Sequence, residues 1–470
     1  MDRYDLIVVG GGAAGLVTAA GSAGIGARVA LVERERMGGE CLWTGCVPSK
    51  ALLACGKAAA HARSAARFGV RAEPVVDFAA AMRWVHAART AIYPHDSPER
   101  FRGLGVDVIE GTARFTGPRV LDVGGRALTA KRIVIATGSR PAVPDIPGLD
   151  AVRYFTNETI FENTDRPRHL LILGGGPIGL ELAQAFVRLG SRVTVFERSA
   201  GLLPREEPEL AVMLRERLAA DGIAIESGVT ITAARRSDFG IVLTRTVNGV
   251  PEEIGGTHLL VATGRESRTD TMALEAGGVA VGHDGVQVDA HLRTTAAGVW
   301  ACGDCIGGPR FTHAADMQAR LVIRNAFFPF KGPMDYSAMP WVTYTDPELA
   351  HVGLTEREAR ERHGDGVRVF SKRFDDVDRA IAEGETAGLV KLVTTSKGRV
   401  VGGHILGAGA GDMIGEVALA VKQKLSVTAL GNLVHSYPSM PEAIRQAAEG
   451  YNKARFTGPA RSIARWFAQR

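Results

Sequence analysis

Cys41 and Cys46 stand five positions apart in GGECLWTGCVPSK, and their types and spacing point to thiol–disulfide chemistry. On an ideal helix, residues so placed have Cα atoms roughly 8 to 9 Å apart, beyond the usual disulfide span of about 4.4 to 6.8 Å. A bridge between them on a helix must distort the backbone, and Gly38, Gly39 and Gly45 are where distortion costs least. A strained bridge is readily reduced. Thiolates released near a helix N-terminus have depressed pKa values and stay nucleophilic at neutral pH. The same letters also fit two unpaired buried thiols or half of a zinc site. No Cys or His cluster nearby completes a metal shell, so no metal ligands are assigned.

The elements that must position this pair are announced by an internal repeat. Residues 6–34 match residues 170–198. In each copy an apolar strand runs into GxGxxG, an amphipathic helix follows, and a second strand ends in an acid. The glycines are Gly10, Gly12 and Gly15 in one copy and Gly174, Gly176 and Gly179 in the other. They permit a tight turn, let backbone N–H groups approach a pyrophosphate, and keep helix and strand close. Glu33 and Glu197 end the second strands, where a carboxylate can bind the hydroxyls of an adenosine ribose. One such motif is weak; two with strand, helix and distal acid in place define two dinucleotide-binding units.

Because the cysteines follow the first unit directly, FAD is assigned to it and the nicotinamide cofactor to the second. Glu197 would repel a ribose phosphate, which favours NAD(H); neighbouring Arg198 could accept one, which leaves NADP(H) possible. Two further strands, IVIATGSRP at 133–141 and LLVATGRES at 259–267, lead into turns at Gly138 and Gly264 suited to close passage of a cofactor. In GVWACGDC at 298–305, Asp304 is placed to accept a ribityl hydroxyl, and Cys302 and Cys305 are read as incidental.

Composition bounds the rest. A chain of 470 residues requires several domains. No apolar run is long enough to span a membrane, and the start reads as a strand entering a glycine turn, not as a secretory signal. Five cysteines without an export signal suggest a reducing cytoplasm. The net charge of +5 comes with scattered arginines, without basic runs interleaved with aromatics, so nucleic acid is not an expected partner. Near the C-terminus Ile463, Trp466 and Phe467 lie at helical spacing opposite Arg461 and Arg465, a face expected to dock on its own dimer in preference to a membrane.

Taken in order, these motifs resemble the flavoprotein pyridine nucleotide-disulfide oxidoreductases, which include dihydrolipoamide dehydrogenase, glutathione reductase and mercuric reductase. The resemblance runs from about Asp5 to Phe456. It implies an α/β chain with two Rossmann-like dinucleotide-binding domains and a C-terminal α+β interface domain that makes a homodimer. The segments would be FAD-binding 1–150, NAD(P)-binding 151–285, a return to the FAD domain at 286–337, and interface 338–470. The resemblance also implies that Cys41 attacks substrate, that Cys46 contacts the flavin, and that Lys50 and Glu181 lie beside the reactive flavin nitrogen. The helix opened by His313 is implied to aim its N-terminus at the flavin.

One departure is informative. Lipoamide and glutathione members carry His-Pro-Thr, with Glu five residues after that His; this chain has HSYPSMPE, placing Tyr437 at the base position, His435 two residues earlier and Glu442 after it. A phenol with a pKa near 10 is a poor base at neutral pH. The pattern is similar to mercuric reductase, where a tyrosine hydroxyl can orient the ligands of a soft metal ion. No cysteine follows Cys305, whereas mercuric reductases usually end in a vicinal pair. The expectation is an FAD-dependent NAD(P)H:disulfide oxidoreductase with a mercuric reductase-like site, its acceptor a disulfide, dithiol or soft metal ion. The alternatives are a dihydrolipoamide dehydrogenase using His435, and a redox-sensing or electron-carrying flavoprotein.

Overall fold

The structure, a computed structural model, describes residues 2–247, 249–455 and 459–470. Phe456, where the resemblance is expected to end, and the Ile463 side chain lie outside the described residues. Two compact units form: Met1–Gly174 with Arg188–Arg192 and Ile231–Met334, and Gly175–Val187 with Val193–Thr230 and Asp335–Arg470.

The first unit is built on a seven-stranded sheet. Asp2–Val9 lies at its centre, parallel to Val29–Glu33 on one side and to Arg126–Ile135 on the other, while Val299–Ala301 returns from far along the chain to pair with Arg126–Ile135. Leu6 to Val9 form a continuous apolar run because both sheet faces are covered. Ile7 and Val9 join a core with Ile133 and Ile135; Leu6 and Val8 face the other way, into a core with Ala14 and Ala19 of the helix Ala13–Gly24 and Ala319 and Val322 of the helix Thr312–Phe327. Parallel strands thus end together at the glycine turns.

After Val29–Glu33 the chain enters a short helix, Gly39–Trp43, and then a second, Cys46–Ser64. The two cysteines therefore do not share one helix. The chain breaks at Thr44–Gly45 and the second helix begins at Cys46, with both cysteines present as free thiols. Gly38 and Gly39 have φ of 100° and 57°. A Cβ on Gly39 would sit 2.5 Å from Gly12 Cα, so both positions demand glycine where the cysteine segment crosses the fingerprint loop.

In the second unit, a five-stranded antiparallel sheet runs in the order Pro340–Thr343, Glu348–Gly353, Val400–Gly407, Leu389–Thr394, Arg368–Arg373. Its strands alternate: Ala350, Val352, Val390, Leu392 and Ile405 pack with residues of the helices Ala410–Lys422 and Glu442–Arg455, while His351, Lys391 and His404 point to the opposite face. No helix among the described residues is long and apolar enough to cross a membrane. The helix Pro459–Ala468 holds Trp466 and Phe467 exposed, with Arg470 over the Trp466 ring.

Candidate active site

Cys46 is the first residue of a 19-residue helix, and its Sγ lies 3.4 Å from Oγ1 of Thr312, the first residue of the helix Thr312–Phe327. Two helix N-termini thus meet at one sulfur, a setting that favours negative charge there. Cys41 is hydrogen-bonded to Cys46; that bond first, and burial second, push the Cys41 thiol well above its ordinary range, while the Thr312 hydroxyl pulls the other way. When the pair carries a single charge, Cys41 keeps the proton. Lys50, in the first turns of the same helix, has Nζ 3.4 Å from Ser49 Oγ. Cys302 and Cys305 are wholly buried, and burial pushes the Cys305 thiol up to about 12. Neither is an accessible nucleophile.

Both fingerprints fold alike. Gly10 and Gly174 have φ of 109° and 108°, and a Cβ on either would strike a carbonyl oxygen, of Ala136 or Ala262, at 2.3 Å. Glu33 Oε2 accepts from Gly11 N at 2.5 Å and its other oxygen from Glu35 N at 2.8 Å; Glu197 accepts from Gly175 N at 2.8 Å and Ser199 N at 2.7 Å. Each acid lies across the mouth of its own glycine turn, where a ribose would arrive. Gly15 faces Gly10 O so closely that a Cβ has no room, and Gly12 and Gly176 leave their turns uncrowded. Gly179 lies in the first turn of the helix Pro177–Arg188, and Arg198 is exposed beside Glu197.

In the first unit a small cleft of about 60 Å³ is lined by Gly10, Glu33, Thr112, Thr137, Arg268 and Met272. Beside it the turns at Gly138 and Gly264 are joined by a short antiparallel ladder, Ser139–Pro141 with Arg265–Ser267. Ser139 Oγ donates to Asp304 Oδ2 at 2.5 Å, and Arg265 pairs with Glu40 and lies 3.7 Å from Asp304. Arg265 Nη1 and Arg310 Nε are buried without hydrogen-bond partners. Unsatisfied guanidinium nitrogens beside an open glycine turn suit a diphosphate, so these residues fit a flavin dinucleotide. Arg265, Arg310, Glu40 and Thr312 were not singled out from sequence. The charged residue within GGEC and the arginines just after the ATG and GD turns were the available signals.

The interface residues separate. Tyr437 is 71 % exposed and donates from Oη to Asp378 Oδ2 at 2.6 Å, which holds its pKa above the usual value. His435 turns inward: Nε2 lies 3.0 Å from Glu416 Oε2, and Nδ1 is buried with no hydrogen bond. The two side chains do not share a face. Glu442 is buried and paired with Arg445 at 2.7 Å, not with Tyr437. Glu181, buried on its helix, accepts from Tyr344 N at 2.8 Å. His313 is exposed and stacks on Phe311 with centroids 5.3 Å apart.

Paired glycine turns with distal acids, a cysteine pair at a helix N-terminus and an antiparallel C-terminal sheet define a disulfide reductase with two dinucleotide sites. The chain belongs to the pyridine nucleotide-disulphide oxidoreductase family: the family's main domain matches residues 4–319 and its dimerisation domain residues 339–448. The family uses FAD and NAD(P)H. The chain is 39 % identical to a mercuric reductase of Streptomyces lividans over 461 residues, covering 95 % of this chain and 96 % of that protein. It is 35 % identical to a dihydrolipoyl dehydrogenase of Thermus scotoductus over 470 residues, covering 96 % and 98 %. Among solved structures it is similar to the Cu(II) complex of the HOCl-induced flavoprotein disulfide reductase RclA from Escherichia coli, with TM-score 0.85, 27 % identity and coverage of 96 % and 99 %. LpdA from Mycobacterium tuberculosis gives TM-score 0.86 at 26 % identity, covering 96 % and 100 %.

Proposed function

We propose that this flavoprotein disulfide reductase uses NAD(P)H, with NAD(H) preferred, to reduce a thiophilic metal ion held by Cys41 and Cys46 in a reducing cytoplasm. The observation that carries the choice of acceptor is Tyr437. A phenol that already donates to Asp378, with its pKa raised, does not take a proton from a dithiol. It can still orient a metal's ligands. A mercuric reductase among the relatives and a neighbour solved with Cu(II) support a metal acceptor.

When bound, FAD supplies hydride acceptance from the nicotinamide and delivery of an electron pair to sulfur. The chain's own residues do the rest. Gly10, Gly12, Gly15 and Glu33 hold the dinucleotide, with Arg265 and Arg310 on its diphosphate, Gly138 and Gly264 at the turns it passes, and Asp304 near its ribityl chain. Gly174, Gly176, Gly179, Glu197 and Arg198 hold the nicotinamide nucleotide, the acid disfavouring a 2′-phosphate. Cys46, between two helix N-termini, carries the thiolate; Cys41, kept protonated by its neighbour and by burial, receives substrate. Lys50 and Glu181 fill the family's paired positions, and the helix headed by His313 favours negative charge at its N-terminus. In a homodimer divided as 1–150, 151–285, 286–337 and 338–470, Tyr437 works at the partner's cysteines.

A second reading has one observation in its favour: His435 with Glu416 is a ready acid–base dyad, which suits a dihydrolipoamide dehydrogenase. An acceptor panel with NADH and NADPH separates them, using mercuric ion, cupric ion, lipoamide, glutathione disulfide and quinones. Metal-dependent NADH oxidation well above lipoamide turnover is the expected result. Lipoamide turnover that survives Tyr437→Phe and vanishes in His435→Ala would replace the metal reading with the second.

A further inference from the structure

Trp341, His351, His404 and Lys391 occupy matching positions on four neighbouring strands of the C-terminal sheet. His351 and His404 are wholly buried. His351 Nε2 lies 3.0 Å from the Gly353 carbonyl oxygen, and His404 Nε2 lies 3.1 Å from that of Leu354. A carbonyl only accepts, so each Nε2 carries its hydrogen. The Nδ1 atoms then face each other at 3.1 Å. Two neutral rings would set lone pair against lone pair, whereas one added proton turns that repulsion into an N–H···N bond.

The surroundings suit one such charge. Glu206 Oε2 is buried, makes no hydrogen bond and lies 3.5 Å from His351 Nδ1. The Trp341 ring stacks on His351 with centroids 3.7 Å apart, offering a π face to a cation. Glu207 Oε1 lies 3.7 Å from His404 Nε2. Glu358, on the helix Glu356–His363, feels the charge of His351, and the Arg205 guanidinium lies over the Trp341 ring at 4.8 Å from its centroid. Lys391 is paired with Glu207 at 2.8 Å and Glu356 at 3.0 Å, and its charge still works against one on His404. Burial, and then the field of His351, hold His404 far below the usual imidazole range, so the pair does not hold two protons.

The acids that meet this pair end the segment that begins just after Glu197. Glu206 also accepts from Trp341 Nε1 at 2.6 Å, and Glu207 from Glu356 N at 2.5 Å. Leu202 of the same segment packs so closely that a Cβ on Gly175 would meet it at 2.7 Å.

We propose that His351 and His404 share a single proton, and that this proton pins residues 198–207 to the C-terminal sheet and so positions Glu197 and Arg198 for the ribose of the nicotinamide nucleotide. The proposal rests on the nucleotide reading of the second fingerprint. Neither histidine touches the nucleotide; both are positioning residues. The anchor exists only while the pair holds that proton, so it is complete in acid and is lost as pH rises. Loss opposes the two lone pairs and strips Glu206 of its counter-charge, and the segment loosens.

The experiment is NAD(P)H binding to the holoenzyme by fluorescence, with KM and kcat, from about pH 6.5 to about pH 9. In the wild type, Kd and KM are expected to rise about tenfold across that range, equivalent to about 1.4 kcal/mol. His404→Gln offers an amide N–H to neutral His351 without any added proton, and its Kd and KM are expected to stay flat while its kcat profile follows the wild type. A wild-type pH profile in His404→Gln would overturn the proposal. If that variant does not fold, a neutron structure of the wild type near neutral pD decides: deuterium between the two Nδ1 atoms supports the shared proton, and none there overturns it. Absence of any nicotinamide nucleotide binding would defeat the reading of the second fingerprint instead, and the neutron result would still judge the pair.

Discussion

A hydroxyl at position 312 stands beside the cysteines, and the proposed function gives a part to the phenol at position 437. Tyr437 holds its own proton on Asp378, so the part proposed for it is contact, not proton transfer. Tyr437→Phe is expected to slow metal-ion reduction about tenfold or less while leaving reduction of the cysteines by NADH unchanged, as measured by stopped-flow absorbance. Thr312 reaches the sulfurs from the head of its helix. Thr312→Val is expected to slow alkylation of Cys46 in the reduced enzyme about three- to tenfold at neutral pH, the scale of one hydrogen bond to a charged group, with Thr312→Ser restoring the rate. An unchanged rate would show that the helix N-termini alone set that thiolate. Much of this was legible: Cys41, Cys46 and Tyr437 were named from their motifs. Thr312, Arg265 and Arg310 were not, because what gives them meaning is proximity to residues distant in the chain, more than two hundred positions away for Thr312 and Arg265, which local patterns do not carry.

Among the elements, the repeat was legible because strand, turn, helix and acid each have a short-range signature, and Glu33 and Glu197 close their turns in the same way. A distortion of the cysteine segment at Gly38, Gly39 or Gly45 was expected, and the helix does break at Thr44–Gly45; periodicity cannot show that a new helix starts at Cys46 when both halves are helical. The ladder between Ser139–Pro141 and Arg265–Ser267 was beyond pattern reading, since three-residue strands have no period to detect. The crossing of Gly39 over Gly12 gives a test at this scale. Gly39→Ala places a side chain at positive φ and against backbone, and is expected to cost about 2 kcal/mol and to lower flavin retention. Thermal unfolding and flavin content of the purified variant check it; normal values for both would mean that the loop yields freely.

For the whole molecule, the family's dimerisation domain at 339–448 and the exposed Leu433, Val434 and Tyr437 predict a particle of twice the chain mass by light scattering. A pH effect belongs at this scale too. Burial raises the Glu40 carboxyl to about 7, outweighing the attraction of Arg265. An unfolded Glu titrates near 4.3, so between the two values the folded chain holds a proton that the unfolded chain has lost, and stability falls as pH rises through that window. Glu40→Gln is therefore expected to remove that slope and to make the flavin-free protein about 2 kcal/mol more stable than wild type near pH 8, with no gain near pH 4. Urea unfolding at the two pH values measures it. A matching slope in the variant would assign the titration to another group.

The central claim is that electrons leave this protein through Cys41 and Cys46. Anaerobic addition of one equivalent of NADH to the FAD-loaded enzyme, followed by thiol titration, tests it most directly. The account predicts two new thiols per chain, mapped to Cys41 and Cys46, together with a long-wavelength thiolate–flavin band, and loss of all acceptor reduction in Cys41→Ser. Full acceptor reduction in Cys41→Ser, or reduced flavin with no new thiols, would contradict it.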